Sequence, residues 1–304
     1  MGFFVPMRKT AILRLLTNHL DAWGLAFGVA LVSAYLHDAL NHQTWLIAGS
    51  IAFGYWLAFA LNDYFDREID RRNRLKAERN YFCAVSFHPA TKRLLVIGFG
   101  LAWLGIALVF AQMGWRGWLA LLTCFTVSWG YSAPPLRLKT RPGLDLLTHA
   151  GFVETFPYLL ILFLQNLTVK PSDYLLIAIL LLASACAQLE QQIRDFESEI
   201  GVEQNLTIQI GKARAVAVLK GLGILYLALG GIGFWAGWLP AWLFPLASLS
   251  VPIFVWRLFL RTDGSYPTYL PKTRPFGLTV FILFAGFTYL FSLLIFGNPT
   301  LWFR

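Results

Sequence analysis

Asn62-Asp63-Tyr64-Phe65-Asp66-Arg67-Glu68-Ile69-Asp70 sets a knot of carboxylates directly behind the apolar run 44–61. If a helix continues through it, Asn62, Asp66 and Asp70 fall four residues apart on one face, with Asp63 one step round. Like charges on about two turns repel, so the arrangement is costly unless something cationic neutralises it. Oxygen donors in that number suit magnesium, a hard ion that also holds phosphate. A second acidic run, Gln191-Gln192-Ile193-Arg194-Asp195-Phe196-Glu197-Ser198-Glu199, follows the apolar stretch 175–189, and Asp195 and Glu199 are again i and i+4. Two such helix ends, each holding magnesium, would clamp a diphosphate. The plainer alternative is a pair of solvated helix ends, with Asn62 and Asp63 capping a span. It leaves the recurrence of the motif unexplained.

The elements that carry these motifs are membrane spans. Hydrophobic residues make up 57% of the chain and charged residues 13%, at a mean hydropathy of +0.59. An ordinary soluble domain uses about 45–50% apolar residues. Runs long enough to cross about 30 Å of hydrocarbon fall at residues 22–40, 44–61, 94–113, 117–131, 144–164, 174–189, 213–235, 238–260 and 276–296. The expectation is an all-α polytopic membrane bundle of about nine transmembrane helices, with residues 1–304 as a single membrane domain.

Basic residues orient the bundle. An amino terminus on the cytoplasmic side of the cell (inner) membrane puts there Arg8, Lys9, Arg14, the cluster 67–93, Arg137, Lys139, Arg141, Arg194, Lys212, Arg214, Arg257, Arg261, Lys272 and Arg274. It leaves Arg116, Lys170 and Arg304 opposite, as the positive-inside rule demands. Both acidic motifs then face the cytoplasm, and the net charge of +9 is accounted for without nucleic acid. The 3 cysteines, Cys83, Cys124 and Cys186, are scattered and form neither a disulfide framework nor a zinc pattern. No short apolar core with a small-residue cleavage site follows the amino-terminal basic residues, so the first span is expected to direct insertion itself.

A diphosphate needs guanidinium or ammonium partners. Arg79 and Arg194, beside the two motifs, are the first candidates, with attraction to anionic lipid head groups as the alternative for each. Tyr131-Ser132-Ala133-Pro134-Pro135-Leu136-Arg137-Leu138-Lys139 breaks a span with two prolines and then sets two cations at its edge. It is either a helix stop or a device that aims Tyr131 inward and Arg137 and Lys139 at the diphosphate. Asp145, His149 and Glu154 fall within a span, where ionisable groups are costly and face a cavity or a partner. Asp145 and His149, i and i+4, read equally well as a structural pair. Glu154, deeper, is the better candidate for holding an acceptor or receiving its proton.

The motif Asn62-Asp63-x-x-Asp66-x-x-x-Asp70, the Tyr131-to-Lys139 segment and Arg194-Asp195-x-x-x-Glu199 together resemble the UbiA-type superfamily of intramembrane prenyltransferases, over nearly the whole chain. The resemblance implies a nine-helix bundle around a central cavity. In it Asn62, Asp63, Asp66 and Asp70 form one motif and Asp195 with Glu199 the other, binding magnesium and a polyprenyl diphosphate. With the cations read above, the expected site takes Asp63, Asp66, Asp70, Asp195 and Glu199 for magnesium, Arg79, Arg137, Lys139 and Arg194 for the diphosphate, and Asn62, Asp66, Asp195 and Tyr131 as the catalytic set. Glu154 and His149 are the residues assigned to the acceptor. Three departures stand out. Glu199 replaces the usual aspartate, Asn80 stands where Arg79 would often be followed by proline, and residues 201–205 lack the basic residue and threonine often found there. Arg141-Pro142-Gly143-Leu144-Asp145 is similar to members acting on carotenoids and other lipophilic acceptors, with quinone-precursor, chlorophyll-type and glycerolipid acceptors open. The expected activity is magnesium-dependent transfer of a prenyl group to a hydrophobic acceptor among membrane lipids. The rivals are a secondary transporter, which would place carboxylates near the bilayer midplane, and an inactive isoprenoid-binding relative.

Overall fold

A computed structural model describes residues 19–72, 74–85, 87–201, 203–251, 285–286, 288–290 and 292–293, with the backbone alone for residues 74, 75, 79 and 198. Among the described residues the protein is helical and contains no strand. The chain forms two compact units. The first takes the described residues up to Leu138 together with Leu160–Leu167, and the second takes Lys139–Leu159 and the described residues from Thr168 on.

The first unit opens with α1 (Leu20–Leu36) and α2 (His42–Asp70). Asn41 starts α2: its side chain accepts from the Thr44 amide at 2.9 Å, filling one of the donors that a helix start leaves open. The buried face of α1 is a stripe of small residues, Ala26, Ala30 and Ala34, which lets two backbones approach where hydrocarbon offers no hydrophobic drive. Against it α2 buries Ile47, Ala48 and Ile51. Two short helices, α3 (Arg74–Arg79) and α4 (Tyr81–Ala84), lead into α5 (Pro89–Ala111) and α6 (Gly114–Ser132). Gly117 lies so close to α5 that a Cβ there would sit 1.6 Å from the Phe110 carbonyl oxygen. The prolines act as expected, since α6 ends at Ser132, just before Ala133-Pro134-Pro135.

The second unit begins within a 3₁₀ turn, Leu138–Thr140, that precedes α7 (Leu144–Ala150), which runs through one π-helical turn, Gly151–Thr155, into α8 (Phe156–Leu164), whose residues from Leu160 on belong to the first unit. There follow α9 (Pro171–Glu199), α10 (Leu206–Ile210), α11 (Lys212–Trp235) and α12 (Leu243–Ser248). The core is the seam between α9 and α11. Cys186, Leu189 and Ile193 recur at i, i+3 and i+7, and they meet Ala215, Val216 and Leu219.

Among the described residues five helices are long and apolar enough to cross a membrane: His42–Asp70, Pro89–Ala111, Leu144–Leu164, Pro171–Glu197 and Lys212–Trp235. Leu94, Val96, Leu101, Leu104, Leu108, Trp115, Leu122 and Trp235 are exposed, as helices solvated by lipid require. The expected spans up to 213–235 all coincide with helices. Span 238–260 is represented by α12 and span 276–296 by a few residues, and most of both, like Arg8, Lys9, Arg14, Arg257, Arg261, Lys272 and Arg274, lies outside the described residues.

The lengths of α2 and α9 bear on the site. Both have 29 residues, about 43 Å at 1.5 Å per residue, whereas a span needs about 20 residues. Each overshoots by about nine residues, and in each the excess at the carboxyl end is the acidic motif.

Candidate functional site

Because α2 continues unbroken to Asp70, Asn62, Asp66 and Asp70 do share one face, and the first unit supplies each carboxylate with a partner. The Asn62 amide donates to Asp66 Oδ2 at 3.0 Å, and the Ser132 hydroxyl, at the end of α6, donates to Asn62 Oδ1 at 3.1 Å. Arg137 Nη2 lies 3.5 Å from Asp66 Oδ1. His19 Nε2 meets Asp63 Oδ1 at 3.1 Å, while its ring stacks on Phe59. Burial disfavours the charged ring, but the Asp63 hydrogen bond and the charges of Asp63, Asp21 and Asp70 outweigh it, so the His19 pKa is raised. The buried Asn80 amide donates to the Asp63 carbonyl and to Asp70 Oδ2, both at 2.8 Å.

The neighbouring arginines divide their work. Arg67 lies over the Tyr64 and Phe87 rings, 4.3 and 4.9 Å from their centroids, a cation–π seat that holds the guanidinium against its own helix. Arg71 pairs with Glu68 at 3.0 Å, an exposed bridge of little worth. Arg79 closes α3, and its side chain lies outside the described residues. Among the described residues, Arg137 is the guanidinium that the first unit brings to Asp66. Tyr131 is half-buried in the last turn of α6.

In the second unit α9 carries Asp195 and Glu199 in its last two turns. Arg194 Nε lies 3.3 Å from Asp195 Oδ1, and the Asn205 amide donates to Glu199 Oε2 at 2.9 Å. Lys139 is buried in the 3₁₀ turn. Asp145 does not pair with His149. Its Oδ2 accepts from Gln192 Nε2 at 2.6 Å and from the Leu206 amide at 2.9 Å, whereas Ser184 donates to the His149 carbonyl at 3.1 Å and lies 3.4 Å from His149 Nδ1. Glu154 is buried in the π-helical turn, a backbone feature frequent at functional sites. Residues 201–205 do lack threonine, but Thr207, two positions on, is buried and donates its hydroxyl to Gln192 Oε1 at 3.0 Å.

Sequence reasoning missed His19, Ser132, Gln192 and Asn205 as supports of the motifs, and it met Asn80 only as a departure. One signal was available for the two asparagines: each precedes a short helix, where asparagine is a preferred cap.

Cys83 reports on the first motif. Its thiol donates to the Arg67 carbonyl at 3.4 Å, and burial, followed by the charge of Asp70, pushes its pKa up to about 11. The thiolate is the reactive form, so at pH 8 roughly one molecule in a thousand is competent. We expect iodoacetamide to modify Cys83 on the order of a hundred times more slowly than an ordinary exposed thiol of pKa about 8.5. The rate should rise about tenfold per pH unit to pH 10. Mass-spectrometric labelling across that range checks this, and a plateau below pH 9 contradicts it.

The family model described as UbiA prenyltransferase family matches residues 22–283. The chain belongs to this family. A UbiA homolog from Archaeoglobus fulgidus, solved bound to GPP and Mg2+, superposes with a TM-score of 0.67 at 20% identity, covering 92% of this chain and 99% of that one. Its complex with DMAPP and Mg2+ gives 0.66 at 19%, covering 91% and 98%. These likenesses establish the UbiA fold, a polytopic helical bundle. Among curated proteins, the lycopene elongase/hydratase of Halobacterium salinarum is 33% identical over 111 residues, 34% of this chain and 38% of that protein. The enzyme of the same name from Haloferax volcanii is 32% identical over 132 residues, 41% and 40% of the two chains. The chain thus matches about two fifths of the length of these relatives.

Proposed function

We propose that this UbiA-family protein transfers a prenyl group from a polyprenyl diphosphate to a lipophilic acceptor within the membrane, with magnesium as cofactor and a lycopene-like polyene as the acceptor. The observation that carries the reading is the overshooting end of α2, where Asn62, Asp66 and Asp70 share one face and Arg137 lies 3.5 Å from Asp66. The acceptor class rests on the names of the curated relatives and on the segment Arg141 to Asp145.

The donor set fits magnesium. Among the described residues no three carboxylate, imidazole or thiolate side chains converge as a ready-made cage. Magnesium does not require one, because it keeps several waters and binds through one or two carboxylates plus substrate phosphates. Asp63, Asp66 and Asp70 would hold it on the first motif, and Asp195 and Glu199 on the second. Bound there, it neutralises the diphosphate and improves it as a leaving group.

The chain's own residues do the rest. Asn62, held by Ser132, orients Asp66, and Arg137, Lys139, Arg79 and Arg194 bind diphosphate oxygens. The allylic C–O bond breaks with its electron pair leaving on the diphosphate. The π electrons of the acceptor form the new C–C bond, and the cation that results loses a proton to a base. Tyr131 faces the allylic cation with its ring. Glu154, with His149 on the same helical run, is the base we assign. Both acidic motifs lie on the cytoplasmic side of the inner membrane, the side that the positive-inside rule selects.

The test is diphosphate release by the purified, lipid-reconstituted protein given geranylgeranyl diphosphate and lycopene or a lipid extract, with magnesium or EDTA. Magnesium-dependent release with a prenylated product, identified by mass, supports the reading and names the acceptor. The absence of release across several prenyl chain lengths and acceptors rejects it in favour of transport or an inactive isoprenoid binder.

A further inference from the structure

The last carboxylate of each acidic motif is held by the same device. In the first unit, Asn80 is 4% exposed, donates its amide to Asp70 Oδ2 at 2.8 Å and accepts the Phe82 amide on its Oδ1 at 2.9 Å, capping α4. In the second unit, Asn205 is also 4% exposed, donates its amide to Glu199 Oε2 at 2.9 Å and accepts the Ile208 amide on its Oδ1 at 3.0 Å, capping α10. Capping fixes which end of each side chain faces the carboxylate, because an oxygen committed to a backbone N–H leaves the NH₂ group pointing the other way. Both motifs thus end on one arrangement: carboxylate, buried asparagine, start of a short helix.

We infer that Asn80 and Asn205 are paired positioning residues that fix Asp70 and Glu199 for cation binding while leaving their charge intact. Lysine or arginine in either place would orient the carboxylate and also neutralise it, and so compete with the metal. An amide orients it by hydrogen bonding and carries no charge. The matched arrangement also accommodates Glu199. The longer Glu199 side chain meets its asparagine at 2.9 Å, as Asp70 meets its own at 2.8 Å. The short helices are the anchors, since each asparagine is pinned at both ends. The inference rests on the proposed binding of a magnesium diphosphate and is separable from transfer.

The test is Asn80→Ser, Asn205→Ser and the double variant, in the full chain in lipid nanodiscs. Serine caps helices about as well as asparagine, but it is too short to hold the carboxylate as well. The readouts are the magnesium concentration that gives half-maximal retention of radiolabelled geranylgeranyl diphosphate and the melting of the metal-free protein. Loss of a hydrogen bond to a charged group raises the magnesium requirement about tenfold in each single variant. Binding is recovered at excess magnesium, and the metal-free protein still melts as a folded chain, with a modest shift for Asn80→Ser because Asn80 also bonds the Asp63 carbonyl. If a serine variant melts early, Asn80→Thr or Asn205→Thr, also a cap, replaces it in the comparison. An unchanged magnesium requirement overturns the inference, as does lost binding that excess magnesium does not restore alongside early melting, which would leave the asparagines as caps alone. Wild-type retention indifferent to magnesium overturns the proposed function itself, and the inference with it. Magnesium-dependent retention without turnover removes transfer and leaves the inference standing on the variants.

Discussion

Asp66→Ala is expected to lower kcat/KM for magnesium-dependent prenyl transfer by about 10³-fold, with the protein still folded. Asp66 is the middle carboxylate of the first motif and the one on which its partners converge: the Asn62 amide holds one oxygen at 3.0 Å and Arg137 lies 3.5 Å from the other. Removing one preorganised group from a site that stabilises developing charge costs about 10²–10³ in rate. Here the lost carboxylate also disorders Asn62 and Arg137, which places the effect at the upper end, about 4 kcal/mol at 1.36 kcal/mol per decade. Folding is spared because the motif lies in the overshooting end of α2 and crowds like charges that repel. Glu197→Gln is the matched control. Glu197 is an exposed acid on α9 paired with Lys212 at 3.2 Å, and its loss should alter turnover less than twofold, as exposed pairs generally do. Steady-state kinetics of both variants, with melting measured alongside, decides the matter. An Asp66→Ala protein with near wild-type kcat/KM removes the first motif from the site.

The sequence made the carriers of the chemistry legible and hid their supports, for a physical reason. Helical period and hydropathy are local, so the continuation of α2 through Asn62, Asp66 and Asp70, the repeat of the pattern on α9 and the stop at Pro134-Pro135 could all be read from neighbouring residues. Partners are long-range. His19 meets Asp63 from 44 residues away, and Ser132 reaches Asn62 across 70. No spacing rule links such positions. The π-helical turn Gly151–Thr155 was hidden for a different reason, since one extra backbone residue in a turn leaves the apolar run 144–164 unchanged in composition. Asp145 and His149 show the converse error. Their i, i+4 spacing is real, yet the bonds they form run to Gln192, Leu206 and Ser184 on other segments.

Those bonds make Asp145 the residue whose removal should most weaken the second unit. Asp145 is 0% exposed at the start of α7, and one oxygen takes both the Gln192 amide on α9 and the Leu206 amide at the start of α10. Gln192 in turn accepts from the Thr207 hydroxyl, so one carboxylate joins three helices just below Asp195 and Glu199. Asp145→Ala strands one buried donor, the Gln192 amide, and one part-buried donor, the Leu206 amide, that bond a carboxylate in the native protein, at about 1.5–3 kcal/mol for each lost bond. The expected destabilisation is about 3–5 kcal/mol for the two bonds together. Asp145→Asn keeps a carbonyl acceptor of nearly the same shape and should lose less than half as much. Thermal unfolding in one lipid or detergent, with both variants beside wild type, separates the two. If alanine and asparagine melt together near wild type, the network does not hold α9 in place. If alanine alone collapses, the carboxylate secures the end of α9 on which the second motif is built.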